Sequence, residues 1–200
     1  MSFVNYQIKR TKEFSKKIKG SKFIGRSYPV ESRESAKSII KVVEDEHRKA
    51  THVCWAYRIL QKGESLGYCS DAGEPHGSAG PPILTAIEGR QLVNTLCVVV
   101  RYFGGTKLGI GGLIRAYGGT AAEVLELAEK KSFIETINLA IQVSINNYSD
   151  LMRILRKYHL SVQPEFNSES VTVKIQTTPG DLDRLQNDIQ SISSAILKNE

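Results

Sequence analysis

Apolar residues near the start of the chain recur at helical spacing. Ala36, Ile39, Ile40 and Val43 fall at i, i+3, i+4 and i+7, and His47 extends the stripe. Such spacing lines one face of an α-helix. Ser32 stands before it as an N-cap, and the helix is expected to end near Lys49. Residues 22–30, 51–60 and 66–70 read as strands. Residues 95–100 are an unbroken apolar, β-branched run, the pattern of a central strand buried on both faces. A short helix is expected over 83–91. A second long helix is expected from about Leu113 to Lys131, striped by Ala121, Val124, Leu125 and Ala128. Gly118 and Gly119 weaken such a helix by about 1 kcal/mol each relative to Ala, unless close packing on a sheet selects them.

The last third has a different rhythm. Ile137, Leu139, Ile141, Val143 and Ile145 alternate, as in a half-buried strand. Leu151, Ile154, Leu155 and Tyr158 return to helical spacing. Residues 160–166 and 171–176 read as two strands. Thr178 then offers an N-cap, Pro179 the first helical position and Asp181 the third, as in a capping box. The order is β-α-β-β-α, which a short strand over 195–198 would close. That is the ferredoxin-like plan. The pattern predicts an α+β protein with two domains, 1–137 and 138–200. The 200 residues suit two small domains.

Charge changes this picture in one respect. The net charge is +6, but the first 62 residues hold 15 of the 27 Lys and Arg against 6 of the 21 Asp and Glu. Such asymmetry suggests a polyanion-facing surface, although lysines on solvated elements are also ordinary. The three cysteines make no disulfide framework and no CxxC pair. Residues 1–25 lack the apolar core of a signal peptide, and no run approaches 18 apolar residues. A reducing, cytoplasmic setting without a membrane partner is expected.

Three segments could carry chemistry. The first holds Asp71, Gly73, Glu74, Pro75, His76, Gly77 and Ser78. Asp71, Glu74 and His76 could form an acid/base or metal cluster, and Asp71, His76 and Ser78 have the residue types of a nucleophilic triad. Neighbours on one loop rarely converge that way. A rigid turn whose carboxylates accept backbone N–H bonds is the simpler reading. The second segment runs from Arg101 to Gly118 as strand, glycine-rich turn and helix start. Gly104, Gly105, Gly111 and Gly112 could bring backbone N–H groups to an anion, with charge from Arg101, Lys107 and Arg115 and from Lys22 and Arg26 upstream. Tyr102, Phe103 and Tyr117 supply stacking faces. Close helix–strand packing selects the same glycines. No nucleotide loop is complete, because Gly109 is followed by Ile110 and Gly111 and position 114 is Ile. The third set is His47, His52, Cys54, Cys69 and His76, which lacks the paired spacing of structural zinc ligands. No metal or cofactor is expected.

The stretches THVCWAY (51–57), SDAGEPHGSAGPPIL (70–84) and VVVRYFGGTKLGIGGLIRAYG (98–118) resemble the YigZ/IMPACT family. The likeness covers about residues 20–125. Ala72 and Ser78 stand where the family carries Asp and Thr, and Val53 where it carries Asn. The resemblance implies a first domain like domain IV of elongation factor G, with a left-handed βαβ unit and helices on one face of a sheet. It implies a ferredoxin-like second domain. It also implies translation control: eukaryotic members bind a regulator of a stress-responsive initiation-factor kinase, and bacterial members are thought to bind nucleic acid or ribosomes. No catalytic residue set comes with it. The expectation is a non-enzymatic protein that binds RNA or the ribosome. The alternatives are a protein-interaction module of the translation stress response, or an enzyme on a small anionic substrate.

Overall fold

The apolar stripe of the first helix meets a sheet. The computed structural model describes residues 5–61, 64–192 and 195–199, and the chain divides into two compact units, Met1–Phe133 and Ile134–Glu200. In the first unit β1 (Asn5–Ile8), β2 (Lys12–Ile18) and β3 (Ser21–Pro29) precede α1 (Arg33–Glu46). Ser32 caps α1 in a reciprocal box with Ser35, and Ala36, Ile40 and Val43 are its buried residues. Then come β4 (His52–Gln61), β5 (Glu64–Ser70), α2 (Gly80–Glu88), β6 (Thr95–Tyr102), α3 (Ile110–Glu126) and β7 (Lys130–Phe133).

Five strands form one antiparallel-paired sheet in the order β2-β3-β6-β4-β5. β6 is the central strand, and seven of its eight residues are buried. Cys97 and Val99 pack with α2 and α3, while Leu96, Val98 and Val100 pack with α1. Helices therefore cover both faces, not the single face the resemblance implied. The reason lies in β6, since an unbroken apolar run such as Leu96–Val100 must be covered on both sides.

Three strands were not legible. β2 is an edge strand carrying Lys12, Lys16 and Lys17, a composition that protects an edge and hides the alternation of Phe14 and Ile18. β1 and β7 are short and pair only with each other as strands, Asn5 opposite Phe133. That pairing ends α3 at Glu126, five residues before the expected Lys131.

The second unit contains β8 (Ile137–Ser144), α4 (Tyr148–Lys157), β9 (Val162–Phe166), β10 (Ser170–Thr177), α5 (Pro179–Gln190) and β11 (Ile196–Asn199). Its sheet order is β11-β8-β10-β9 with every pair antiparallel, the ferredoxin-like arrangement. Leu139, Ile141, Val143, Val171, Val173 and Ile175 face α4 and α5 through Leu151, Leu155, Leu185 and Ile189. Thr178 begins α5 as its N-cap, but its hydroxyl bonds the Asp181 carboxylate at 2.8 Å rather than a backbone N–H.

Candidate functional site

β5 and β6 end at the same end of the five-stranded sheet, because both are antiparallel to β4. Each leads through a glycine-rich loop into a helix. Residues 71–79 connect β5 to α2, and residues 103–109 connect β6 to α3. The start of β4 and the turn between β2 and β3 lie at this end too.

The first loop folds around Asp71. Its Oδ2 accepts the N–H of Gly77 at 2.8 Å, and its Oδ1 accepts those of Ala79 and Gly80 at 2.9 and 2.8 Å. Gly80 is the first residue of α2, so Asp71 caps that helix from eight residues upstream of Ala79. Burial alone would raise the Asp71 carboxyl; the three N–H bonds outweigh it and hold it below the usual carboxylate range. Ser78 is buried and donates to the Pro75 carbonyl at 2.6 Å. His76 is solvent-exposed, with Nδ1 3.8 Å from Asp71 Oδ2. Ala72 and Gly73 both adopt positive φ, and Gly73 lies against the His52 ring.

Glu74 points inward. Its Oε1 accepts Arg101 Nη1 at 2.6 Å and the Tyr117 hydroxyl at 2.7 Å, and His52 Nε2 stands 3.9 Å away. The Glu74, Arg101 and Tyr117 side chains are all buried. His52 Nδ1 is 2.9 Å from the Ala72 carbonyl, so Nδ1 carries the proton and Nε2 faces Glu74. The Cys54 thiol donates to the Asp71 carbonyl at 3.0 Å, and burial pushes it up to about 12. Burial also raises the Tyr117 hydroxyl far above its ordinary value. Burial therefore favours the protonated form of both groups near neutrality. Among the described residues no three His, Cys, Asp or Glu side chains gather into a metal-holding group.

Arg101 therefore stands where surface reasoning did not put it. It is 5% exposed, paired with Glu74, and set between the rings of Phe23 and Phe103, whose centroids lie 5.6 and 5.4 Å from its guanidinium. Arg26 is also engaged, by Glu46 and by Glu13 at 2.6 Å. Both pairings share a cause: these strand arginines reach carboxylates distant in sequence. Lys22, Lys107 and Arg115 differ. Each is exposed and makes no ion pair among the described residues. Lys17, Lys19 and Lys49, at the same end of the sheet, are also exposed.

The second loop has no equivalent of Asp71. Gly104 packs so closely on the β2–β3 turn that a Cβ there would lie 1.9 Å from the Gly20 carbonyl carbon. Gly109 adopts a φ of 71° before α3 and supplies no side-chain cap. Gly105 lies mid-loop, and Gly111 and Gly112 form the first turn of α3, where the Arg115 guanidinium folds back beside Gly111. Between the two loops lies a cavity of about 310 Å³, lined by His52, Glu74, Arg101, Phe103, Lys107 and Ile110 among others. The sequence marks Arg101 and Glu74 separately but not their pairing, nor the parts of Cys54, Phe23 and Tyr117. No local signal joins residues 27 and 43 positions apart.

Residues 19–125 match the family model of the Impact N-terminal domain. The Thermus thermophilus protein named "IMPACT family member in pol 5'region" is 39% identical over 165 residues, 82% of this chain and 87% of its own. The Escherichia coli "IMPACT family member YigZ" is 41% identical over 110 residues, 54% of this chain and 53% of its own. A solved structure described as "an hypothetical protein" superposes with a TM-score of 0.69 at 24% identity, covering 98% of this chain and 97% of its own, a likeness of fold.

Proposed function

The chain belongs to the IMPACT family, and on that footing we propose that it is a translation-associated regulatory protein that binds RNA or the ribosome through the basic end of its first sheet. One observation carries this reading. The N-terminus of α3 has no side-chain cap, and exposed cations without ion pairs among the described residues lie at that end of the sheet: Lys107 and Arg115 beside the helix, Lys19 on the β2–β3 turn, and Lys17 and Lys22 on the α1-covered face of the same hairpin. A helix start with free N–H groups and nearby lysines attracts phosphate.

The reading is non-catalytic. The hydroxyl of Ser78 is held by a backbone carbonyl, Cys54 and Tyr117 stay protonated, and Asp71 is engaged by three N–H groups.

Binding to single-stranded RNA and to purified ribosomes, measured across a salt series, tests the proposal. Affinity should fall steeply with salt, and replacing both Lys107 and Arg115 by Ala should lower the salt slope by about one to two. No binding at low salt overturns it. A second reading rests on the exposure of Phe103 and Ile110, 47% and 60%, at the same end. Apolar side chains among cations also suit a protein partner in translation control. One protein recovered on this chain after nuclease treatment, and lost in Ile110→Asp, would favour it.

A further inference from the structure

We propose that the cavity between the two loops holds one unpaired nucleotide of an RNA strand, with its base stacked on Phe103 and its phosphate at Lys107 and the start of α3. The proposal rests on the RNA reading above and specifies its ligand.

Phe103 is the platform. It follows the last residue of β6 and is 47% exposed. Its ring belongs to a column in which the Arg101 guanidinium lies 5.4 Å from Phe103 and 5.6 Å from Phe23, and Phe23 meets Tyr117 edge-on at 5.3 Å. Glu74 holds Arg101 by one nitrogen, so the platform has a rigid support. A held aromatic ring with an open face accepts a base whatever its sequence.

The cavity has polar groups to match. Arg101 is 5% exposed and lines it, yet its Nε is a buried donor without a hydrogen-bond partner. Such donors ordinarily find one. His52, oriented by the Ala72 carbonyl, also lines the cavity. At its mouth Lys107 stands two residues before Gly109, and the first turn of α3 has no side-chain cap. Those N–H groups and that ammonium suit a phosphate.

The remaining walls are apolar, with Pro75, Leu108 and Leu113 among them. Apolar walls suit the faces of a base rather than a triphosphate and its metal. A volume of about 310 Å³ admits a splayed base and not a duplex.

The test uses the full chain. Affinities for a short single-stranded RNA and for a duplex of the same sequence are measured at low salt for the parent, Phe103→Ala, Phe103→Trp and Lys22→Ala. In parallel, adenosine and uridine monophosphates are titrated into the labelled parent and followed by NMR. The single strand should bind more tightly than the duplex. Phe103→Ala should weaken single-strand binding about tenfold or more while leaving duplex binding unchanged, and Phe103→Trp should restore it. Lys22→Ala should weaken both about equally. The monophosphates should move the signals of His52, Phe103 and Lys107. If RNA binds but Phe103→Ala has no effect on the single strand, the cavity assignment falls and the basic surface stands. If no RNA binds at low salt, both fall. If monophosphates shift the cavity signals without any RNA binding, the RNA assignment is overturned.

Discussion

The loops at 71–79 and 103–109 have similar compositions and opposite fates. Each follows a strand, is rich in glycine and enters a helix at the same end of the sheet. The first has taken its anion from within, because the Asp71 carboxylate occupies the N–H groups at the start of α2. The second has no acidic side chain at its cap, and α3 begins on Gly109. Glycine content does not distinguish a closed turn from an open anion site. One carboxylate does.

The largest expected effect comes from breaking what joins the two loops. Glu74→Ala leaves the Arg101 guanidinium buried without its charge partner. The first unit should lose about 3–5 kcal/mol, read by denaturant unfolding of its core signals. A loss below about 1 kcal/mol would mean that water replaces the carboxylate.

Opening the closed loop comes next. Asp71→Ala removes an acceptor from three N–H groups and should cost about 2–3 kcal/mol. The effect depends on pH with a definite sign. The Asp71 carboxyl is lowered in the folded protein, so its contribution is complete above the ordinary carboxylate value of about 4 and is lost as pH falls toward the lowered value. The stability gap between parent and variant should therefore narrow in acid, which unfolding curves at stepped pH would show.

Closing the open loop is the gentlest change. Ile110 is 60% exposed in the first turn of α3. Ile110→Asp places a carboxylate where Asp71 serves α2 and should stabilise α3 by about 0.5 kcal/mol. It should also weaken RNA binding severalfold. Stability and binding moving in opposite directions would separate this from damage to the fold.

What the sequence made legible follows from the range of each interaction. α1, the central strand β6 and the βαββα order of the second unit were readable because periodicity and caps are local. β1, β2 and β7 were not, since Asn5 meets Phe133 and the lysines of β2 mask its alternation. The same division runs through the site. The loops declared themselves by glycine and proline, and the Asp71 cap lies within nine residues of its donors. The Glu74–Arg101–Tyr117 linkage was invisible, because it depends on three elements brought together by the sheet. An arginine on a strand reads as surface charge until its carboxylate is found.

The place of β6 in the sheet also bears on how the chain comes off its own ribosome. β3 and β4 are made early but do not touch as strands; the strand that joins them arrives at Thr95–Tyr102. The earliest strand, β1, waits longer, for Lys130–Phe133. Closure of the first unit is thus postponed until its whole length has emerged. Until then the apolar edges of β3 and β4 face solvent or a chaperone, and nascent chains arrested short of residue 95 should be protease-sensitive where those arrested well beyond 133 are not.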